Sequence, residues 1–247
     1  MTAPTELNGP AAAVVGDGIQ ASNAGWNFAG EASKNFDGHV SKSVPLYDTG
    51  HELVERLSDF FVGPDSTVYD LGCSTGSLTE RLARRHAHKS PRIIGVDCEQ
   101  DMVTIARRKC RDIDSIEIQH QDLSQVTWEK ADLVVMYYTL QFVPPKFRQT
   151  VVDEIYQALN WGGALLMFEK VRGPDARFQD VMTQLYTEYK LEQGYTPDDI
   201  VGKSRSLKRV LEPFSTQGNL DLLSRAGFVD VMTVQKYVCF EGFLALK

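Results

Sequence analysis

Cysteine is scarce in this chain. Four stand among 247 residues (Cys73, Cys98, Cys110 and Cys239), and none falls in a Cys-x-x-Cys or other metal-ligand spacing. They read as free thiols of a reducing compartment, and no metal is expected. A run of about 18 apolar residues is also missing, so no membrane-spanning helix and no membrane partner are expected. The start of the chain lacks a basic segment leading into an apolar stretch, so a secretion leader is not expected and the location is expected to be cytoplasmic. Positive charge is in deficit. The net charge is −7 and the isoelectric point about 5.3, which argues against a nucleic-acid partner, since phosphate binding needs clustered Lys and Arg. Arg84-Arg85, Arg107-Arg108-Lys109 and the stretch Lys203–Arg209 are local exceptions, the first two reading as solvated helix faces.

What the chain does have is a glycine turn. Val68-Tyr69-Asp70-Leu71-Gly72-Cys73-Ser74-Thr75-Gly76-Ser77 runs from an apolar strand through an acid into two glycines four residues apart, and a helical pattern follows. Glycines there let the backbone turn off the strand, and the next helix offers unpaired N–H groups at its start. The spacing is Asp-x-Gly-x-x-x-Gly, so it is not the Gly-x-Gly-x-x-Gly dinucleotide fingerprint. A second apolar run, Arg92 to Asp97, ends in an acid 27 residues after Asp70. A carboxylate at the tip of a second parallel strand is where a ribose diol would be held.

The rest of the pattern alternates. Strands are expected at 66–71, 92–96, 115–119, 132–138 and 163–169, with helices at 76–88, 99–110 and 146–159 between them. That alternation implies an α/β, Rossmann-like fold with helices on both faces of a mostly parallel seven-stranded sheet. Two strands near 229–236 and 238–246 would close it, after a helix over 214–226. Residues 1–25 read as a flexible tail, 26–62 as an N-terminal cap and 171–215 as a helical insertion over the site, all within one domain spanning 26–247. Phe178, Val181, Met182, Leu185, Tyr186 and Tyr189 are expected on one helix face.

These motifs resemble the class I S-adenosylmethionine (SAM) methyltransferases, in which the glycine turn lies against the methionine and ribose of the cofactor. The resemblance implies SAM as cofactor. It also places Asp122, in Gln121-Asp122-Leu123 after the third strand, on the adenine amino group. Val134 to Phe142 ends the fourth strand, the position that points at sulfonium and acceptor in this fold. Aromatic faces stabilise a sulfonium cation, and Tyr137, Tyr138 and Tyr47 suit that work.

A closer similarity covers residue 26 to the end. Phe36-Asp37, Ser43-Val44-Pro45-Leu46-Tyr47, Thr139-Leu140-Gln141-Phe142, Leu159 to Leu165, Glu169-Lys170, Gly194-Tyr195 and Arg225 to Phe228 look like carboxy-SAM synthase, which makes the carboxymethyl donor for tRNA wobble-uridine modification. That family implies SAM contacts at Tyr47, Gly72, Cys73, Ser74, Asp97, Cys98, Asp122 and Leu123, joined by Asp70 and Gly76 from the turn, and a homodimer. Two of its residues differ here. Tyr137 stands where the family has Asn, and Ser204 where it has the Arg that grips the new carboxylate, with Arg205 one place along. A one-residue step turns a helical side chain by about 100°. The leading expectation is therefore methyl transfer to a small molecule by in-line displacement. Tyr137, Tyr138, Tyr186 and Arg205 are the candidate catalytic residues, with Tyr189 also expected at the acceptor. Glu169 is expected to face that acceptor, and His39 and His51 are the nearest candidate bases. Cyclisation of SAM alone to azetidine-2-carboxylate, with release of methylthioadenosine, is the alternative. Carboxy-SAM synthesis and a non-enzymatic SAM-binding module complete the set.

Overall fold

The structure, a computed structural model, describes residues 13–247. It opens with β1 (Ala13–Val14) and β2 (Gln20–Ala21), two short antiparallel strands. The expected tail therefore needs correction from residue 13 onward, and residues 1–12 lie outside the described part. Val15, Ile19 and Ala21 are buried with Trp26 and Ala32 in a small satellite core, which removes enough apolar surface from water to hold so short a hairpin.

Three helices form the cap: α1 (Glu31–Lys34), α2 (Phe36–Ser43) and α3 (Tyr47–Ser58). Then come β3 (Thr67–Leu71), α4 (Ser77–Arg85), β4 (Arg92–Asp97), α5 (Gln100–Cys110), β5 (Ile116–His120), β6 (Ala131–Tyr137), α6 (Pro145–Ala158) and β7 (Leu159–Lys170). The insertion is α7 (Ala176–Glu192) and α8 (Pro197–Ser206), followed by α9 (Thr216–Ala226), β8 (Asp230–Tyr237) and β9 (Phe240–Leu246). Asp175 caps α7 through the Phe178 N–H, and Thr196 with Asp199 forms a reciprocal capping box on α8, with Pro197 just inside it.

The seven-stranded sheet runs β5-β4-β3-β6-β7-β9-β8, parallel except where β9 pairs with β7 and β8. Asn160 to Gly163, ahead of the strand expected at 163–169, sits in an irregularity of β7: Ala131 pairs with Leu159 and Leu133 already with Ala164. One face of the sheet buries Tyr69, Leu71, Val134, Met136, Leu165 and Met167 beneath α6 and α9. The other buries Val68, Ile93, Leu133, Val135 and Phe168 against α3 and α4, with Met182 and Tyr186 of α7 packed beside them. The chain leaves β3 toward β4 on one side, and β6 lies on the other. A topological switch point therefore falls between β3 and β6, and the carboxyl ends of those strands diverge into a crevice there.

The α7 face divides. Met182 and Tyr186 turn inward, while Phe178, Val181 and Leu185 remain exposed.

Candidate active site

The glycine turn lies at the switch point. Gly72 has φ +72°, and its N–H and that of Cys73 both donate to the Val96 oxygen, at 2.7 and 3.0 Å, which ties the turn to β4. A Cβ on Gly72 would collide with the Thr139 side chain. Ser74, also left-handed at φ +50°, donates its N–H to Asp97 Oδ2 at 2.8 Å, and the Glu99 N–H reaches Asp97 Oδ1 at 2.9 Å. Asp97 is nearly buried, and burial raises its carboxyl pKa against those backbone bonds. The turn's main chain and the Asp97 carboxylate thus form one unit.

Two residues of the motif work from behind. Asp70 is enclosed and accepts from the Thr79 hydroxyl, and burial pushes its pKa up to about 6. It anchors α4 and does not reach the crevice. Gly76, φ +77°, starts α4 with its missing Cβ facing Ala106 and Cys110 of α5. The absence of a side chain there is required by helix packing.

Cys98 is exposed, and the removal of water around its thiol, with the neighbouring Asp97 carboxylate, raises that pKa to about 11. Asp122 is exposed as well and caps the short turn at Leu123–Gln125 by accepting from Ser124 N and Oγ, at 2.8 and 2.6 Å. Leu123 packs on the core below it. The cap closes over this end of the sheet. Asp37 of α2 accepts from Thr75 and Ser77 of the turn and pairs with Lys109 at 2.9 Å, and the Gly30 N–H donates to Asp101 at 2.8 Å.

At the end of β6 the two tyrosines part. Tyr137 follows Leu133 and Val135 onto the α3 face, between Tyr47, His51 and Phe168, and its hydroxyl donates to the Tyr47 oxygen at 2.6 Å. That hydroxyl is committed, so a catalytic role for it does not fit. Tyr138 takes φ +61°, a conformation that costs a bulky side chain energy, and its buried hydroxyl has no partner among the described residues. Its ring is stacked on Tyr47 with centroids 6.3 Å apart.

Beyond Tyr138 opens a cavity of about 530 Å³, walled by the cap, the insertion and the start of the chain. Trp26, Phe28, Phe142 and Phe240 give it apolar walls. Tyr186 lies in it with Lys170 Nζ 4.2 Å and Lys190 Nζ 4.5 Å from its ring centroid, and its hydroxyl donates to the Ser43 oxygen at 2.8 Å. Neither lysine has a carboxylate partner among the described residues. Burial lowers both pKa values, that of Lys190 to about 8. Ser204 lines the cavity. Arg205 is exposed and outside it, as the 100° step requires, so the expectation of a catalytic Arg205 is corrected. Tyr189 stacks on Tyr186 but is not in the cavity lining. Glu169 points to the opposite face, toward Arg148, and not to the cavity.

Sequence reasoning missed Lys170, Lys190 and Lys203 as cavity residues; a lysine at 170, closing a buried strand, was the readable signal. Of the two histidines, His51 is buried between Tyr47 and Tyr137, and burial drops its pKa to about 3. His39 lines the cavity.

Known proteins share this chain's sequence and fold. A family model described as a methyltransferase domain matches residues 68–163. The carboxy-S-adenosyl-L-methionine synthase of Staphylococcus epidermidis is 35% identical over 226 residues, covering 90% of this chain and 97% of its own length. That of Campylobacter lari is 35% identical over 223 residues, covering 90% and 94%. The chain belongs to the carboxy-SAM synthase family. Among solved structures, human N-acetylserotonin methyltransferase in complex with SAM superposes with a TM-score of 0.57 at 21% identity, over 82% of this chain and 52% of that one. The pyocyanin biosynthetic protein PhzM gives 0.64 at 16%, over 88% and 58%. This chain thus spans little more than half of those structures, and they share its fold.

As a carboxy-SAM synthase relative, the protein is a class I methyltransferase-fold enzyme whose cofactor is SAM. The residues present fit that cofactor: a left-handed glycine turn beside a carboxylate, and an unpartnered tyrosine hydroxyl at the switch point. No helix among the described residues is long and apolar enough to cross a membrane.

Proposed function

We propose that the protein transfers the methyl group of SAM to a small anionic acceptor held in the cavity beneath the insertion. The observation that carries this reading is the pair of ammonium groups, Lys170 and Lys190, set over Tyr186 without a carboxylate partner among the described residues. A buried cation is costly unless an opposite charge reaches it, so the cavity selects a carboxylated or otherwise anionic guest. Its aromatic walls suit an apolar body behind that anion.

In this reading Asp97 receives the ribose hydroxyls, and the Gly72–Ser74 main chain lies along the cofactor. Asp122 and Leu123 border the adenine, with Cys98 at the rim. Tyr47 and Tyr138 face the sulfonium. When bound, SAM supplies an electrophilic methyl whose transfer extinguishes the charge on sulfur. The residues of the chain align the acceptor with that methyl and exclude water, so alignment and desolvation supply the rate. Incubation of pure protein with SAM and an extract of small metabolites tests it. S-adenosylhomocysteine formed only with the extract supports methyl transfer, and methylthioadenosine formed from SAM alone refutes it in favour of cyclisation.

A second reading is carboxy-SAM synthesis, favoured by the full-length similarity to enzymes of that name. Lys170 and Lys190 would then meet the carboxylate that a guanidinium meets elsewhere in the family. Mass gained on SAM in the presence of prephenate distinguishes it.

A further inference from the structure

A polar cluster lines the same cavity beside the anion site just described. His39 Nδ1 lies 2.6 Å from Asp17 Oδ2, and His39 Nε2 lies 3.1 Å from Lys203 Nζ. The Asp17 contact fixes the imidazole with its proton on Nδ1, so Nε2 presents a lone pair to Lys203. Asp17 also accepts from the Tyr195 hydroxyl at 2.9 Å, and Lys42 Nζ stands 3.4 Å from its other oxygen. Trp26 stacks on His39 at 5.9 Å and lies against Lys203 Nζ. His39 and Trp26 are each 7% exposed.

Two basic nitrogens 3.1 Å apart cannot both be cations at low cost. One of the two keeps a free lone pair at neutral pH. The groups facing the pair are Asp17 from the hairpin, Lys42 and Ser43 from α2, Tyr195 ahead of α8, and Lys190 from α7. Burial, with Lys190 adding to it, outweighs Asp17 and brings Lys203 down to about 6. Burial and Lys203 together lower His39, against Asp17. Burial pushes Asp17 up, but its bonds from His39 and Tyr195 hold it below the usual carboxylate range.

We propose that Lys203, His39 and Asp17 form the proton-accepting relay of this cavity. Lys203 is the catalytic base; His39 and Asp17 are positioning residues behind it. The proposal rests on the transfer reading above. As the acceptor's electron pair forms its bond to the methyl carbon, the carbon–sulfur pair stays on sulfur and leaves S-adenosylhomocysteine. The acceptor's proton goes to the Lys203 nitrogen. Lys203 can pass a proton across 3.1 Å to His39 Nε2, and the Asp17 carboxylate stabilises the imidazolium so formed. The hairpin thereby contributes chemistry as well as a wall: Asp17 reaches His39 only because Val15, Ile19 and Ala21 hold that segment down.

Two measurements test this. In the first, the ligand-free full chain, labelled with ¹⁵N at lysine and histidine, is titrated by NMR. Lys203 is expected to lose its proton several pH units below an exposed lysine, and Asp17→Asn to move both Lys203 and His39 lower, since it removes the anion. In the second, the SAM assay is run with Lys203→Arg, Lys203→Met and His39→Gln. Lys203→Arg keeps a cation that cannot give up its proton. It is expected to lose turnover by about 10²–10⁴-fold, as Lys203→Met does, with SAM affinity by calorimetry unchanged as the folding control. His39→Gln lowers turnover less and moves the acidic limb of the pH profile. Ordinary titration of Lys203 overturns the relay, and so does full activity of Lys203→Arg, which would make the residue a simple cation. Low titration together with no S-adenosylhomocysteine from any extract would sink the transfer reading and overturn the base role with it, whereas ordinary titration with S-adenosylhomocysteine formed would overturn the relay alone.

Discussion

The Tyr137 hydroxyl donates to the main-chain oxygen of Tyr47 across 2.6 Å, joining the end of β6 to the first turn of α3. The close approach of α3 depends on it. Gly50 lies so near that a Cβ there would run into the same hydroxyl. Tyr137 is therefore a brace that sets Tyr47, one residue proposed to face the sulfonium.

Tyr137→Phe tests that role. The phenyl ring keeps its packing on His51 and Phe168, and only the hydrogen bond is lost. Stability should fall by about 1 kcal/mol in denaturant melts. SAM binding should weaken only a few-fold, through a looser Tyr47. A loss of turnover by several hundred-fold with intact SAM affinity would return Tyr137 to the chemistry.

Much of this was readable beforehand, and the unread parts have physical causes. The β–α alternation is carried by buried apolar runs such as Ile93 to Val96 and Leu133 to Met136, so the sheet could be placed to within a few residues. The place of Asp97 at the tip of β4 was legible because the apolar run before it is a buried strand. Helix geometry alone pointed Arg205 away from the position of Ser204, yet Arg205 was expected to be catalytic, and that expectation failed. The Tyr137–Tyr138 pair was half legible: period-two alternation from Leu133 sends Tyr137 to the α3 face, but the left-handed turn at Tyr138 is set by its surroundings. The hairpin at 13–21 was invisible. Strands of two residues carry no period, and Gly16 and Gly18 look like linker. The Asp17–His39 pair, 22 residues apart, is made by tertiary packing and leaves no spacing signature.

Gly72→Ala addresses the cofactor half. An alanine at φ +72° pays left-handed strain and meets Thr139, whose hydroxyl already donates to the Leu71 oxygen at 2.7 Å. The turn must shift, and it takes Ser74 and its bond to Asp97 with it. SAM affinity by calorimetry is expected to drop at least tenfold, with a loss of about 1–3 kcal/mol in stability. Unchanged affinity would place the cofactor away from this turn.

Ser204→Arg asks where the transferred group would lie. Ser204 lines the cavity and Arg205 does not. A guanidinium at 204 offers a bidentate partner to a carboxylate. Affinity for carboxy-SAM should rise about tenfold or more relative to SAM, consistent with roughly 1.5–3 kcal/mol for a charged hydrogen bond. Equal gains for both ligands, or none, would mean that position 204 does not adjoin the transferred carbon.

Glu169 makes a pH prediction that involves no ligand. It is 2% exposed at the end of β7, and one carboxyl oxygen has no partner among the described residues. Burial pushes its pKa up to about 8, although Arg148 and the backbone N–H groups of Leu140 and Gln141 pull it down. The ordinary glutamate value applies in the unfolded chain, so between about pH 4.5 and 8 the folded state holds a proton that the unfolded state has released. The protonated acid's contribution is complete below that range and is lost as pH rises through it, by about 1.4 kcal/mol per unit at most. Urea melts at pH 6 and pH 8 should show wild type losing stability relative to Glu169→Gln, which is neutral throughout, as pH rises. Lys203 and Lys190, whose lowered pKa values push stability the other way over this range, act equally in both proteins and cancel in the comparison. Because Arg148 also donates to the Val143 and Gln141 oxygens, the variant leaves the turn after Tyr138 in place, and its SAM affinity should match wild type. An identical pH slope in both proteins would show that Glu169 is ionised in the fold and paired with Arg148.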